Sequence, residues 1–323
     1  MNDLTQQVLI LIMMMALGFG LALGKVINDD GRVLLTKIVI HVTAPLLVIK
    51  SFQMKFETHL LINMGIMAAF GFLSMFAFYL LGRLWPIKDP GKKKVLWEAT
   101  VFSNCGFMGY PLLMSLLGKT GVVYGSVYVM AFTVYQWTIG VSIYAGKSGS
   151  IKEVLKQPGL IAVFIGLALF VTGWQLPGFV NGAIDYVSAM NTPLAMMIVG
   201  VLVAEGDFKQ VLREGLAFVG AAVRLVALPA LALLAFWALW ALGVPGVPAL
   251  GSDTVAACVL ITAMPVAANV AIFASMFGVR PQFAAQTVLV STLLSVVTVP
   301  LWMFLLQMLV KAVSATGGGG PTG

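Results

Sequence analysis

Apolar residues fall into ten long stretches separated by short polar connections. The stretches lie at about residues 4–24, 33–53, 58–82, 95–118, 120–146, 158–175, 184–204, 216–242, 254–278 and 282–310. A helix needs roughly 20 residues to cross a hydrocarbon core. The pattern therefore predicts an all-α polytopic membrane protein with ten transmembrane helices. Two stretches are interrupted. The fourth holds Ser103-Asn104-Cys105-Gly106-Phe107-Met108-Gly109-Tyr110-Pro111-Leu112-Leu113, and the ninth holds Ala263-Met264-Pro265-Val266-Ala267-Ala268-Asn269. Proline removes a backbone donor and crowds the carbonyl four residues earlier, and glycine lowers the cost of leaving helical geometry. In lipid, freed backbone groups survive only inside protein or along a wet cavity. Paired interruptions, one in each half, point to a transporter binding site.

The halves resemble each other weakly. Thr43-Ala44-Pro45 in the second stretch is answered by Asn191-Thr192-Pro193 in the seventh, and Pro111 by Pro265, at offsets of 148 and 154 residues. Five helices is an odd number, so the second copy enters the membrane upside down, giving two inverted five-helix repeats with broken fourth and ninth helices.

Composition supports the membrane reading. The 323 residues are 60% hydrophobic and 10% charged, with a mean hydropathy of +1.00, beyond what a soluble core requires. The net charge of +7 does not indicate nucleic acid, because the basic residues sit in the connections. Thirteen Lys and Arg lie in one set of alternate connections and four in the other. The positive-inside bias then places residues 83–94 in the cytoplasm and both termini outside, in a cell (inner) membrane. The first stretch has Asp3 before it and Lys25 after it, the reverse of a signal peptide, so it is expected to be a retained helix.

Enzyme chemistry has little to stand on. There is no HExxH, P-loop or Gly-x-Ser-x-Gly, and His41 and His59 are the only histidines. Cys105 and Cys258 lie in apolar stretches and have neither disulfide nor metal spacing. No catalytic residue, metal site or cofactor is expected. Asp and Glu are absent from the centres of the stretches, and Glu98 and Asp185 are expected near helix ends, in solvent.

The quoted motifs resemble the auxin efflux carrier family, which includes plant PIN-FORMED transporters and bacterial malonate and malate carriers. The likeness is carried by Asn104, Gly109 and Pro111-Leu112-Leu113, and by Ala263-Met264-Pro265 followed by Phe273-Ala274, Phe277, Val279 and Pro281. Ala222-Val223-Arg224 with Pro229-Ala230, and Pro45-Leu46-Leu47, extend it. The long cytoplasmic loop of the plant carriers is absent, so auxin itself is not implied. The resemblance implies a fold like that of sodium/proton antiporters and bile-acid symporters, with the broken fourth and ninth helices crossed at their unwound centres. Scaffold helices would occupy 1–57 and 158–204 and form a homodimer. Transport-domain helices would occupy 58–146 and 205–311, with a cytoplasmic loop at 147–157 and a flexible tail at 312–323.

The expected function is secondary transport of a small organic anion, a mono- or dicarboxylate, by elevator alternating access. Half-helix N-termini carry partial positive charge suited to a carboxylate. The alternatives are a sodium-coupled bile-acid-type symporter or sodium/proton antiporter, and then a channel or membrane sensor. Candidate substrate-binding residues are Asn104, Cys105, Gly106, Gly109, Pro111, Gln136, Asn191, Thr192, Pro265 and Asn269. Lys50, Arg224 and His41 are candidate charge partners, Arg224 having a structural role at helix ends as its competing reading.

Overall fold

The computed structural model describes residues 3–146, 149–206, 213–241 and 252–315. Among these the chain is helical, with one isolated β-bridge and no strand. The tail from 316 onward and the connections around Lys147 and Lys209 lie outside the described residues.

The helices are α1 (Asp3–Leu23), α2 (Asp29–Phe52), α3 (Thr58–Arg83) and α4 (Pro90–Val101). The run Cys105–Ala145 is two helices joined at Gly118, whose φ of 61° and ψ of −144° are non-helical. Residues 105–117 form α5 and residues 119–145 form α6. A Cβ on Gly121 would overlap the Leu113 carbonyl, and one on Gly125 would come 2.7 Å from the Leu113 side chain. Glycine thus permits both the turn and the close return of the chain. Next come α7 (Ile151–Leu155), α8 (Pro158–Thr172), α9 (Gly178–Ala204), α10 (Gly215–Leu239), α11 (Ser252–Thr262), α12 (Ala268–Met276) and α13 (Pro281–Ala315).

Among the described residues, six helical runs are long and apolar enough to cross a membrane, and three shorter apolar helices accompany them. Large apolar side chains such as Leu73, Phe164 and Val297 stand exposed on the outer faces. A soluble surface does not sustain such a covering; lipid does. The chain is a multi-pass membrane protein.

Small residues bring the helices together, as expected where lipid removes the hydrophobic incentive to associate. α1 and α9 meet through Gly18 and Gly200, where added Cβ atoms would overlap the carbonyls of Met197 and Met15. α2 packs on α8, with Phe52 lying over Gly166. α3 packs on α6, and α10 on α13. Ion pairs follow the same grouping. Arg32–Glu205 (2.8 Å) and Lys50–Asp185 (2.7 Å) tie α2 to α9, whereas Lys92–Glu214 (2.7 Å) and Arg280–Asp89 (2.6 Å) tie the start of α4 to those of α10 and α13. Asp89 also caps α4, accepting from the N–H groups of Gly91 and Lys92. The Lys92 N–H, followed by the Arg280 guanidinium, holds the Asp89 carboxyl below its ordinary value.

Four turns among the described residues are π-helical: Val39–Thr43, Cys105–Gly109, Gln136–Gly140 and Val223–Ala227. Three end two residues before a proline, namely Pro45, Pro111 and Pro229. A widened turn moves the carbonyl that the proline ring would otherwise strike. The fourth has Ser142 where the others have proline.

Candidate functional site

The two interrupted stretches meet. α4 ends at Val101 and α11 at Thr262; between each and the following helix the backbone is extended, and the two extended pieces pair antiparallel at Ser103 and Val266. The Asn104 N–H donates to the Pro265 carbonyl (2.7 Å), and the Ala267 N–H to the Phe102 carbonyl (3.0 Å). Ser103 Oγ donates to the Ile261 carbonyl (3.4 Å), and Ser291 of α13 accepts from the Val266 N–H (3.1 Å). Arg224, fully buried on α10, completes the crossing. Its Nε donates to the Met264 carbonyl (3.2 Å) and its Nη1 to the Thr100 carbonyl (2.9 Å), with the Phe78 ring 5.7 Å from the guanidinium carbon. Backbone groups freed by the two breaks thereby find partners away from water, as lipid demands.

The break falls at the front edge of the stretch that the sequence singled out, not at its proline. Pro111 sits inside the second helical piece, just past the Cys105–Gly109 turn. The widened turn before it moves the carbonyl that its ring would strike, so it is tolerated there. The departure from helix is at Phe102–Asn104. Consequently Pro111 and Pro265 do not occupy equivalent places: Pro265 is in the extended piece itself. The residues that face each other across the bridge are Ser103 and Val266, and the helical pieces that follow end near Gly118 (φ 61°) and Gly278 (φ 66°).

Downstream of the bridge, α5 and α12 begin side by side. Met108 and Gly109 give the first intrahelical bonds of α5, to the Asn104 carbonyl, and Val270 gives that of α12, to Ala267. The N–H groups before them have no helical acceptor and concentrate partial positive charge at the crossing. Asn104 is buried, and its carboxamide makes no hydrogen bond among the described residues; Asn269, half-buried, likewise makes none. A Cβ on Gly106 would meet open space, whereas Gly109 faces Ile261 and Met264, and Cys105 is buried. α9 packs against the Cys105–Gly109 turn. At its Asn191, Oδ1 accepts from Thr43 Oγ1 (3.0 Å) while Nδ2 has no partner; Thr192 is half-buried. Thr43 and Asn191 are 148 residues apart, the spacing of Pro45 and Pro193.

Other expected residues lie elsewhere. Lys50 is in its ion pair with Asp185. His41 is exposed, with its Nδ1 3.0 Å from the Lys37 carbonyl. Gln136 is buried and donates from Nε2 to Glu98 Oε1 (3.0 Å). Glu98 corrects the expectation of a solvated helix-end carboxyl: it is fully buried. α4 starts at Pro90, capped by Asp89, so Glu98 lies two turns from that start, in the last turn before the break at Phe102. The Asp-Pro pair was the available signal, being a cap followed by a proline in the first position. Cys105 and Cys258 are free thiols, both buried. Among the described residues no group of His, Cys, Asp and Glu has the makings of a metal site.

Comparison with known proteins agrees with this architecture. Residues 3–154 and 149–303 match the family described as membrane transport protein. An "Uncharacterized transporter" of Methanothermobacter thermautotrophicus is 26% identical over 310 residues, covering 94% of this chain and 98% of that protein. An "Uncharacterized transporter" of Methanocaldococcus jannaschii is 21% identical, covering 93% and 97%. A "Putative malonate transporter" of Rhizobium meliloti is 24% identical over 220 residues, covering 65% and 66%. With two broken helices joined through their backbones and a family match over nearly the whole chain, the protein belongs to the membrane transport protein family, of the auxin efflux carrier type.

Proposed function

We propose that the chain is a secondary transporter of a small organic anion, a mono- or dicarboxylate, which binds where α5 and α12 begin. The observation that carries this reading is the Ser103–Val266 bridge, which sets two half-helix N-termini at one place beside the unpartnered carboxamide of Asn104. Unpaired N–H groups and an amide suit a carboxylate. Arg224 gives Nε and Nη1 to two carbonyls, which assigns it to holding the crossing, while its Nη2 is buried without a partner. The malonate named for one relative is of the same chemical class.

Ten crossings account for the helices: α4 with α5 makes the fourth, α11 with α12 the ninth, and the two five-helix sets form an inverted repeat. Contact between Thr43 and Asn191 supports this, because equivalent residues of a two-fold repeat touch only near its axis. The grouping of ion pairs supports a scaffold of α1, α2, α8 and α9 and a transport unit of the remaining membrane helices. That unit would move as one body, and the scaffold would provide the dimer contact implied by the family. The test is reconstitution of the purified protein with a carboxylate panel, read by thermal stabilisation and by exchange of labelled substrate. Carboxylates should stabilise and exchange, with amines and neutral amides of like shape competing poorly. A cation that outcompetes every carboxylate would overturn the reading.

A further inference from the structure

Glu98 is the buried acid that the crossing does not use. Its carboxyl is fully buried one helical turn before the bridge, and its backbone carbonyl accepts from Phe102, whose own carbonyl accepts from Ala267. The side chain is met by the Gln136 amide at 3.0 Å and stands beside the Tyr144 hydroxyl. Glu98 Oε2, Gln136 Oε1 and Tyr144 Oη are all buried without a hydrogen-bond partner.

No cation neutralises this carboxyl among the described residues. Lys94, one turn earlier on the same helix, donates to the Tyr144 backbone carbonyl (3.1 Å). Arg224 from α10 donates to the carbonyls of Met264 and Thr100 and makes no ion pair with Glu98, Lys92 pairs with Glu214, and Arg280 from the start of α13 pairs with Asp89. Arg83, at the end of α3, is exposed. An unpaired carboxylate in a water-free interior neutralises rather than stay charged. One proton resolves two orphans together: an O–H on Oε2 donates to Gln136 Oε1 while the amide N–H donates to Oε1, an acid–amide pair. A metal ion would need a fuller oxygen shell, and it would meet the amide hydrogens already turned towards the carboxyl.

The local fold is shaped around that amide. Gln136 opens the one π-helical turn that no proline explains, and such turns gather at functional positions. Gly140 closes it, and a Cβ there would lie 2.9 Å from Gln136 Nε2 and 3.2 Å from the Phe102 ring.

We propose that Glu98, with Gln136 and Tyr144, is a proton-binding site, and that its proton travels with the transported anion; the second half of this statement rests on the function proposed above. The carboxylate takes a proton from water on one side, crosses neutral, and returns the proton to water on the other. The first experiment needs no substrate. Infrared difference spectra of the full-length protein in nanodiscs, recorded across pH, should contain a protonated-carboxyl carbonyl band that Glu98→Gln abolishes. If Glu98→Gln does not fold, Gln136→Leu takes its place and must move the band towards the free-acid frequency. Absence of the band from the wild type, its persistence in Glu98→Gln, or an unmoved band in Gln136→Leu overturns the site. So does a sodium-dependent thermal stabilisation abolished by Glu98→Gln, which would make this a metal site.

The second experiment is carboxylate uptake into proteoliposomes under an imposed pH gradient. The initial rate should rise by up to about tenfold per unit of outside acidification, the slope of a single proton, and should lose that dependence in Glu98→Gln. An unchanged dependence in Glu98→Gln overturns the coupling. Failure of every carboxylate to bind while the band is present overturns the anion reading and leaves the proton site standing, so the two failures are distinguishable.

Discussion

Arg224→Met is the substitution that weighs the crossing most directly. The wild-type guanidinium gives two hydrogen bonds to carbonyls on different helices, at 2.9 and 3.2 Å, from a fully buried position. Hydrogen bonds from charged groups contribute about 1.5–3 kcal/mol each, so the pair is worth about 3–6 kcal/mol. These are net values that already include desolvation, and the lower end, about 3 kcal/mol, is the expected loss. At roughly 2 °C per kcal/mol for a chain of this size, Tm should fall by about 6 °C. The protein carries its own reporter: its two thiols, Cys105 and Cys258, are both buried, so a thiol-reactive fluorogen responds only when the fold opens. Arg224→Lys is the companion variant. It keeps the charge and its desolvation but lacks the fork that reaches both carbonyls, so it should be no more stable than Arg224→Met. A methionine variant that melts within about 1 °C of wild type, or a lysine variant as stable as wild type, would refute the two-carbonyl account.

Asn104→Ala should weaken carboxylate binding with little change in Tm. A lost hydrogen bond costs about 0.5–1.5 kcal/mol, or about 1.5–3 with a charged partner, which is roughly twofold to a hundredfold in affinity; calorimetric titration showing wild-type affinity would make Asn104 structural only. Gly200→Val places methyl groups where the Met15 carbonyl lies, and overpacking of about 1–3 kcal/mol should lower Tm by a few degrees; unchanged melting would deny the close α1–α9 contact. Single cysteines at Lys88 and Gln175, in a background without Cys105 and Cys258, test orientation in intact cells. An impermeant thiol reagent should label position 175 and leave 88 unlabelled, and the reverse pattern would invert the topology.

Much of the fold was legible because hydrophobic runs, glycine turns and basic connections are written locally. The separation of residues 105–117 from 119–145 at Gly118, and the existence of two interrupted stretches, follow from local patterns, whereas their crossing was implied by the family resemblance. Position within the interruption was not legible. Proline marks strain, and the strain at Pro111 is absorbed by the π-turn before it, so the break falls at Phe102–Asn104, where no residue type announces it. Glu98 was misjudged for a different reason. Its distance from the membrane edge was counted from the apolar run, whereas the helix begins earlier, at Pro90, with three lysines in its opening turns. Arg224 stood out as a buried cation in sequence, yet its two carbonyl partners, 124 and 40 residues away, are products of the fold alone.

The turns before Pro45, Pro111 and Pro229 have a consequence for chain length. Each holds one residue more than α-helical spacing uses, and one residue is a rotation of about 100°. Losing a residue from Cys105–Gly109 would leave the helix continuous but drive a carbonyl against Pro111 and swing Asn104 by that angle relative to everything beyond Tyr110. At these three turns a deletion alters which side chains face the crossing while the hydropathy pattern along the chain stays the same.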